Sequence, residues 1–412
     1  MAQNSDELPQ LPEPLEELTN AEVMVPFWRG YDGWFQSRGI LLYERHPPPG
    51  GTNTRWYPSK ESTSSILPFA HRVAERSTKV TRVTGLQPMP RFAYAQDGSG
   101  RDLVIKIIKK GSTEDSINRC LLESVDSSNP DKFPFVLPPV AVLDSPYEFS
   151  FLVMPRWRSI STLLETLVTV KQVLTFMKCL LIGLAFLHEQ RIAHRDINTS
   201  NVLMNCYSPA LEEWCTEDVV REHVRTSDEV AYCLFDFDLS LQLPLETDIR
   251  SARRPSLEAF RGAPAFHPSD VWCGPPTYNP FAFDVACLGN LLLYHFACII
   301  PIVPTMAPLF ARMTTHAVEQ RFTALEALKF CRTHLEGLPD EVTRRKVVLK
   351  DSFDPLGDPD KYWQLLGPED EARWSGYRVP ARPLGQRVLI WFAESLPYAL
   401  RILFAVRRVL RV

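Results

Sequence analysis

The residues best suited to chemistry form one short string, residues 194–201, with the sequence His-Arg-Asp-Ile-Asn-Thr-Ser-Asn. It places the carboxylate of Asp196 and the carboxamide of Asn201 five positions apart, after an apolar segment. A carboxylate can accept the proton of a substrate hydroxyl, and an amide oxygen can bind a metal ion on nucleotide phosphates. Arg195 can orient the surroundings of the carboxylate. The string therefore predicts a phosphoryl-transfer site.

The elements that must position this string follow from the apolar pattern. Apolar residues recur at three- and four-residue steps, at Val173, Phe176, Met177, Leu180, Leu184 and Leu187. This spacing predicts an amphipathic helix that ends just before His194. Upstream, residues 92–95 and 103–108 are β-prone runs separated by the hairpin signal Gln-Asp-Gly-Ser-Gly, and residues 141–143 and 149–154 are further strands. Strands followed by helices predict an α+β fold.

From about Thr78 to Glu336 the chain resembles a protein kinase, because several motifs occur in the order found in that family. The resemblance implies a two-lobed fold, with a small N-terminal antiparallel sheet lobe and a larger, mainly helical C-terminal lobe. Lys106 stands where kinases carry the lysine that binds the nucleotide phosphates. Residues 151–157 resemble the strand and hinge that bind adenine, which makes Met154 and Arg156 predicted nucleotide contacts.

A kinase pairs its lysine with a carboxylate on a helix. Glu114 is the better candidate because apolar residues follow it at helical spacing, and Glu123 is the alternative. Residues 234–238, Leu-Phe-Asp-Phe-Asp, resemble the metal-binding DFG motif. The resemblance implies that Asp196 is the base and that Asp236 and Asn201 bind Mg²⁺. Asp238, in place of the glycine, is a further candidate ligand.

Other motifs are structural supports. Asp284 resembles the kinase aspartate that anchors the catalytic loop. Arg321 resembles an arginine whose usual partner is a glutamate, and we expect Asp270 to replace that partner. Ser256 follows Arg-Arg-Pro in the segment after residues 234–238, and this pattern resembles a phosphorylation site of a basophilic kinase. A phosphoserine there could pair with Arg195.

Two further features depart from the kinase pattern. Asn198 occupies the position of a lysine that neutralises the transferring phosphate in serine/threonine kinases. Residues 83–91 contain a single glycine and two prolines where kinases have a glycine-rich loop, so few backbone N–H groups can approach a phosphate there. These departures, with the aromatic N-terminal region and an insertion, resemble divergent kinase-like proteins of mushroom-forming fungi.

The predicted organisation has five parts. They are an acidic disordered tail (1–22), an aromatic-rich extension (23–77), the N-lobe (78–155), the C-lobe (156–337) with an insertion at about 206–231, and a C-terminal extension (338–412). The aromatic residues either pack on a larger domain or form a recognition surface. The arginine-rich amphipathic helix predicted at 388–412 is expected to pack on the domain, and contact with a membrane surface is the less favoured alternative.

Composition limits the classes of partner and location. The net charge is −4, which does not suggest a nucleic-acid-binding surface. The nine cysteines include no CxxC pair and no Cys/His cluster at zinc-ligand spacing. The acidic N-terminus does not resemble a signal peptide, so an intracellular location, cytoplasmic or nuclear, is expected.

The resulting prediction is ATP- and Mg²⁺-dependent phosphoryl transfer to serine or threonine hydroxyls of a protein substrate. Two alternatives remain open. One is a pseudokinase that keeps the fold, turns over little or no nucleotide and acts as a scaffold for a protein partner. The other is a kinase that acts on a small molecule, for which Asp238 is the only indication.

Overall fold

A computed structural model describes residues 8–20, 22–46, 55–60, 66–73, 89–126, 129–207, 213–262, 264–349, 361–379 and 381–395. The chain forms two compact units. The first comprises the described parts of residues 1–133, 137–158 and 203–230, and the second comprises those of residues 134–136, 159–202 and 231–412.

The strands, in chain order, are β1 (Ile40–Leu42), β2 (Glu44–His46), β3 (Arg55–Tyr57), β4 (His71–Arg72), β5 (Phe92–Asp97), β6 (Asp102–Lys109), β7 (Ala141–Asp144), β8 (Phe149–Pro155), β9 (Arg158–Ser159), β10 (Ile192–Ala193), β11 (Val202–Met204), β12 (Cys206–Tyr207), β13 (Tyr232–Leu234), β14 (Leu241–Gln242), β15 (Arg254–Pro255) and β16 (Thr277–Tyr278). The α-helices are α1 (Met24–Gly30), α2 (Asp32–Gln36), α3 (Thr113–Ser124), α4 (Val170–Glu189), α5 (Glu213–Thr226), α6 (Ser269–Trp272), α7 (Pro280–Phe296), α8 (Met306–Thr314), α9 (Ala324–Leu335), α10 (Asp340–Thr343), α11 (Pro368–Trp374) and α12 (Leu384–Ser395).

The first unit is built on a five-stranded antiparallel sheet with the strand order β1-β5-β6-β8-β7. The predicted hairpin is confirmed as β5 and β6. Its turn is held by Asp97, whose Oδ1 accepts the backbone N–H groups of Ser99 and Arg101, each at 2.9 Å. Gly100 closes the turn with φ of 82°, a conformation that glycine adopts without strain.

The aromatic N-terminal residues form part of the core of this unit. Trp28, Tyr31 and Phe35 are buried around Phe151 of β8, with ring centroids 5.8, 4.8 and 4.9 Å from it. Packing on a larger domain is therefore the arrangement that these residues adopt. Within the predicted acidic tail, Leu18 is buried in the same core, and Leu8, Leu11 and Leu15 pack against that core.

The predicted insertion also belongs to the first unit, whereas the sequence placed it in the second lobe. Strand β12 pairs in parallel with β4, in the register Cys206 with His71 and Tyr207 with Arg72. Arg72 donates two hydrogen bonds of 2.8 Å to the carboxylate of Asp102, and the Tyr207 hydroxyl donates to the same carboxylate. These buried polar contacts tie the insertion to the sheet.

The second unit is mainly helical. Helix α4 confirms the predicted amphipathic helix, and a capping box of Thr169 and Gln172 satisfies its first backbone N–H groups. The side-chain oxygen of Asn279 caps α7 by accepting the backbone N–H groups of Phe281 and Ala282, and Pro280 occupies the first helical position. Two helical segments, Val170–Glu189 and Pro280–Ile299, are long and apolar enough to cross a bilayer. Inside the protein, 61% of the apolar stretch of the first segment and 78% of that of the second is buried, so we assign both to the core.

Part of the predicted C-terminal helix is described as α12, in which Ile390 and Ala393 are buried. Its buried side agrees with packing on the domain, while Trp391 on the same helix is exposed. The rest of the predicted helix, residues 396–412, lies outside the described residues.

Candidate active site

The catalytic loop is anchored on one buried carboxylate. Strand β10 directly precedes His194. The side chain of Asp284 in α7 accepts the backbone N–H groups of His194 and Arg195, each at 2.7 Å. It also accepts the ring N–H of His188 at 3.1 Å. Arg195 has φ of 66°, a left-handed conformation that costs free energy for a residue with a Cβ atom. The predicted anchoring role of Asp284 is therefore confirmed, and its three contacts stabilise a strained backbone.

The predicted base and the predicted amide ligand contact each other. The Nδ2 of Asn201 donates to the Asp196 backbone oxygen at 2.9 Å and to its Oδ2 at 2.8 Å. Since the nitrogen donates to Asp196, the carbonyl oxygen of Asn201 is the atom suited to a cation. Asn198 stabilises the same turn: its Oδ1 accepts the Ser200 N–H at 2.9 Å, and its Nδ2 donates to the Asp196 backbone at 3.2 Å.

The segment containing Asp236 is joined to this loop through the backbone. The N–H of Phe235 donates to the backbone carbonyl oxygen of Asn201 at 3.1 Å, which places Asp236, the next residue, close to Asn201 in the fold. Asp236 also has a left-handed backbone, with φ of 74°. Carboxylate and amide oxygens are the hard ligands that Mg²⁺ prefers, so this pair suits that ion. Asp238 is exposed, and its contact with the Asp236 carboxylate is through its backbone N–H at 3.4 Å.

The first unit contains the predicted lysine with a carboxylate partner. The Nζ of Lys106 on β6 is 2.6 Å from Oε1 of Glu114 in the first turn of α3, and both side chains are buried. Ser112 caps this helix by accepting the Asp115 N–H at 3.2 Å. Glu123 is exposed at the other end of the helix. The structure therefore selects Glu114 over Glu123.

The two predicted hinge contacts lie in buried chain. Met154 is a buried residue of β8 and pairs with Val104 of β6. The guanidinium of Arg156 lies 4.1 Å from the ring centroid of Tyr207 and donates to the Tyr43 hydroxyl at 3.2 Å. The backbone N–H of Arg156 donates to Asp102. The guanidinium and the backbone N–H of Arg156 are thus used inside the first unit, and nucleotide contact by Met154 and Arg156 stays a prediction.

Glu258, which belongs to no motif in the sequence, contacts Arg195. Arg195 donates to Oε2 of Glu258 at 3.1 Å, and Arg254 pairs with the same carboxylate at 2.8 Å. Partial burial opposes the charge of Glu258, but the hydrogen bond and charge of Arg254 and the charge of Arg195 outweigh it and lower the pKa of this carboxyl. Ser256 is only 1% exposed. The phosphoserine hypothesis is wrong for this conformation, because Ser256 is inaccessible and Glu258 supplies the anion.

Two further contacts position the segment that follows Glu258 in the chain. Arg321 forms an ion pair with Asp270, which confirms the predicted replacement of the glutamate. Gly262 lies against the base: a Cβ atom there would be 2.6 Å from Oδ1 of Asp196. Only glycine fits without movement of that carboxylate, and the sequence offered no signal for this contact beyond the position of Gly262 before Ala-Pro.

A family model described as "Protein kinase domain" matches residues 92–297, which is half of the 412-residue chain. The chain belongs to the protein kinase family. The matched segment of this kinase domain begins at β5 and ends just after α7. The sheet unit and the helical unit are accordingly the two lobes of the α+β kinase fold that the sequence predicted.

One curated relative of this kinase domain is the mouse serine/threonine-protein kinase N3, which is 24% identical over 177 residues. The aligned segment covers 40% of this chain and 20% of the length of that relative. The narrower resemblance to fungal proteins and the intracellular location stay predictions.

Proposed function

We propose that this kinase domain transfers the γ-phosphate of ATP to serine or threonine hydroxyls of a protein substrate. The observation that carries the proposal is the hydrogen-bond network of the catalytic loop. Asp284 holds the backbone at His194 and Arg195, and Asn201 holds Asp196. Groups fixed before the substrate arrives need no reorganisation during the reaction, which is the main protein contribution to phosphoryl transfer.

Each residue has a role in the proposed reaction. Asp196 accepts the hydroxyl proton as the hydroxyl oxygen forms its bond to the γ-phosphorus, while the bond from that phosphorus to the oxygen bridging it to the β-phosphorus breaks. Lys106, oriented by Glu114, binds the α- and β-phosphates. Asn201 and Asp236 would hold Mg²⁺, whose chemistry is to neutralise charge on the phosphates. The preference for serine and threonine is supported by the name of the mouse relative.

The segment between the Asp236 motif and helix α6, which contains Glu258, supports an active conformation that needs no phosphorylation. In this segment the Glu258 carboxylate already pairs with Arg195 at 3.1 Å. A permanent anion at this place can order the segment in the way that a phosphate would. We therefore expect the protein to act without prior modification of Ser256.

A pseudokinase scaffold is the second candidate, and Asn198 favours it. Both polar atoms of its side chain are used within the loop, at Ser200 and Asp196. A lysine that would contact the transferring phosphate is thus replaced by a neutral group that stabilises the turn. Losing one preorganised charge contact costs about 3 kcal/mol, or roughly a hundredfold in rate.

The two candidates differ in turnover. We would measure transfer of labelled γ-phosphate to a generic protein substrate by the wild type, by Asp196→Asn, and by the control Asp340→Asn, whose carboxylate is 79% exposed. If Asp196 is the base, its substitution should lower the rate on the order of a thousandfold while the control matches the wild type.

Thermal unfolding with and without Mg²⁺ and ATP completes the experiment. A ligand that binds only the folded state must raise the melting temperature. If Mg²⁺ and ATP raise the melting temperature of the wild type but no phosphate is transferred, the protein is the pseudokinase scaffold. Equal transfer by the wild type and Asp196→Asn would show that the assignment of the base is wrong.

A further inference from the structure

Three potential metal ligands from distant parts of the sequence meet in the first unit. One ligand atom from each of His71, Cys206 and His223 lies within 4.8 Å of the other two. The Nε2 atoms of the two histidines are 2.9 Å apart. Cys206 is buried and both histidines are partly buried. The three residues are far apart along the chain, which is why the sequence shows no Cys/His cluster at zinc-ligand spacing.

Regular elements position all three side chains. His71 and Cys206 are paired residues of the parallel strands β4 and β12, so their side chains project to the same side of the ribbon. The His71 N–H donates to the Asn205 oxygen at 2.9 Å, which stabilises this register. His223 comes from the last turn of α5, one residue before the buried Val224. Fixed backbone elements therefore hold the cluster.

The opposite side of the same ribbon is also anchored. Arg72 and Tyr207, the next residues on the two strands, direct their side chains to the carboxylate of Asp102. Alternation along a strand places these contacts and the His/Cys cluster on opposite faces. One face is thus stabilised by a buried ionic cluster, and the other carries the three ligands.

We propose that His71, Cys206 and His223 form a tetrahedral Zn²⁺ site that fastens the kinase insertion to the N-terminal segment. A thiolate with two imidazoles is a ligand set that favours Zn²⁺ over Mg²⁺. Zinc–nitrogen bonds of about 2.0–2.1 Å at a tetrahedral angle separate two imidazole nitrogens by about 3.3 Å. The observed 2.9 Å needs only a small movement of the rings to reach that separation.

The surroundings agree with this assignment. Cys206 is buried and both histidines are only partly exposed, so the cluster is shielded from bulk water. Glu229 follows helix α5, and its backbone oxygen accepts a hydrogen bond of 3.5 Å from the side chain of Asn205, the residue before Cys206. Three protein ligands leave one tetrahedral position open to a fourth ligand such as a water molecule. An ion bound there would join strands β4 and β12 to helix α5 within a single unit, which is the fastening role proposed here.

Cobalt substitution tests the proposal directly. The full chain, without a polyhistidine tag, would be depleted of metal and titrated with Co²⁺ and then Zn²⁺. We expect one ion per chain, a near-ultraviolet thiolate-to-cobalt band, and displacement of that band by Zn²⁺. Cys206→Ser should abolish the band and weaken Zn²⁺ binding at least tenfold. Cys120→Ser is the matched control, because Cys120 is a partly exposed thiol of the same unit.

Each outcome decides the question. The site is supported if the band is lost in Cys206→Ser and kept in Cys120→Ser. Wild type without the band, or Zn²⁺ affinities equal in wild type and Cys206→Ser, would overturn it. If circular dichroism shows that Cys206→Ser is unfolded, the proposal is tested instead by the cobalt band of the folded wild type and by the Zn²⁺ affinity of His223→Asn. His223→Asn should weaken Zn²⁺ binding at least tenfold. Phosphoryl transfer by the same variant is measured in a separate assay, so that failure of the zinc site and failure of the proposed activity can be told apart.

Discussion

Replacing Asp284 by asparagine should loosen the catalytic loop while leaving the shape of the buried side chain almost unchanged. The carboxylate accepts from His194 and His188 at Oδ2 and from Arg195 at Oδ1. Asparagine offers one oxygen and one NH₂ group in the same space. Whichever way the amide turns, at least one of these N–H donors faces another donor.

The expected cost follows from the better orientation. If the amide oxygen faces His194 and His188, the N–H of Arg195 is left unsatisfied, which costs about 1–3 kcal/mol. The two remaining hydrogen bonds lose a charged acceptor, which weakens each by roughly 1 kcal/mol. We therefore expect Asp284→Asn to lower the free energy of unfolding by about 3–5 kcal/mol, a large part of the usual 5–15 kcal/mol.

Two measurements check this value. Urea denaturation gives the change in the free energy of unfolding, and hydrogen exchange reports the protection of the His194 and Arg195 amides. The control Asp340→Asn loses only an exposed ion pair with Arg344 and should change stability by less than about 1 kcal/mol. The reasoning is refuted if Asp284→Asn stays within 1 kcal/mol of the wild type and both amides exchange at wild-type rates.

Three other changes should also have measurable effects. Gly183→Ala places Cβ 2.5 Å from the Phe135 oxygen; urea unfolding should show a loss of about 1–3 kcal/mol, whereas helix propensity alone predicts a gain of about 1 kcal/mol. Glu114→Ala removes the 2.6 Å ion pair of a buried lysine and should cost about 3 kcal/mol; an unchanged melting temperature would contradict this. Burial lowers the pKa of His267 from 6.5 to about 4, so the unfolded chain binds a proton that the folded one excludes. Stability should be intact above pH 6.5 and about 2 kcal/mol lower near pH 5; His267→Phe should lack that part of the loss.

The sequence was most informative where structure depends on local pattern. Helix α4 follows from apolar periodicity, and the β5–β6 hairpin follows from its glycine-containing turn. Both depend on interactions between residues close together in the chain, which a short window contains. The order of the motifs then identified Asp196, Asn201 and Asp236 as one constellation.

The choice between Glu114 and Glu123 shows the limit of such patterns. The two residues are nine positions apart on the same helix, which places them on opposite faces. Both satisfy the sequence pattern, and only the packing of α3 decides which face meets Lys106. The structure chooses Glu114 through the 2.6 Å ion pair.

Arg156 and Glu258 show the same limit for charged groups. The resemblance to kinases predicts that Arg156 contacts nucleotide. The guanidinium of Arg156 is surrounded by tyrosines from three separate segments. Glu258 carried no motif, yet its carboxylate lies where two arginines meet. The environment of a charge is set by side chains that converge from distant positions, and no local window records that convergence.

The sequence by itself determined the family, the two kinds of lobe and the residues suited to phosphoryl transfer. These depend on residue type and on spacing along the chain. Only the tertiary structure decided the partner of Lys106, the anion beside Arg195, the placement of the insertion and the meeting of His71, Cys206 and His223. Each of those depends on contacts between distant segments, which exist only after the chain has closed its long loops and buried its core.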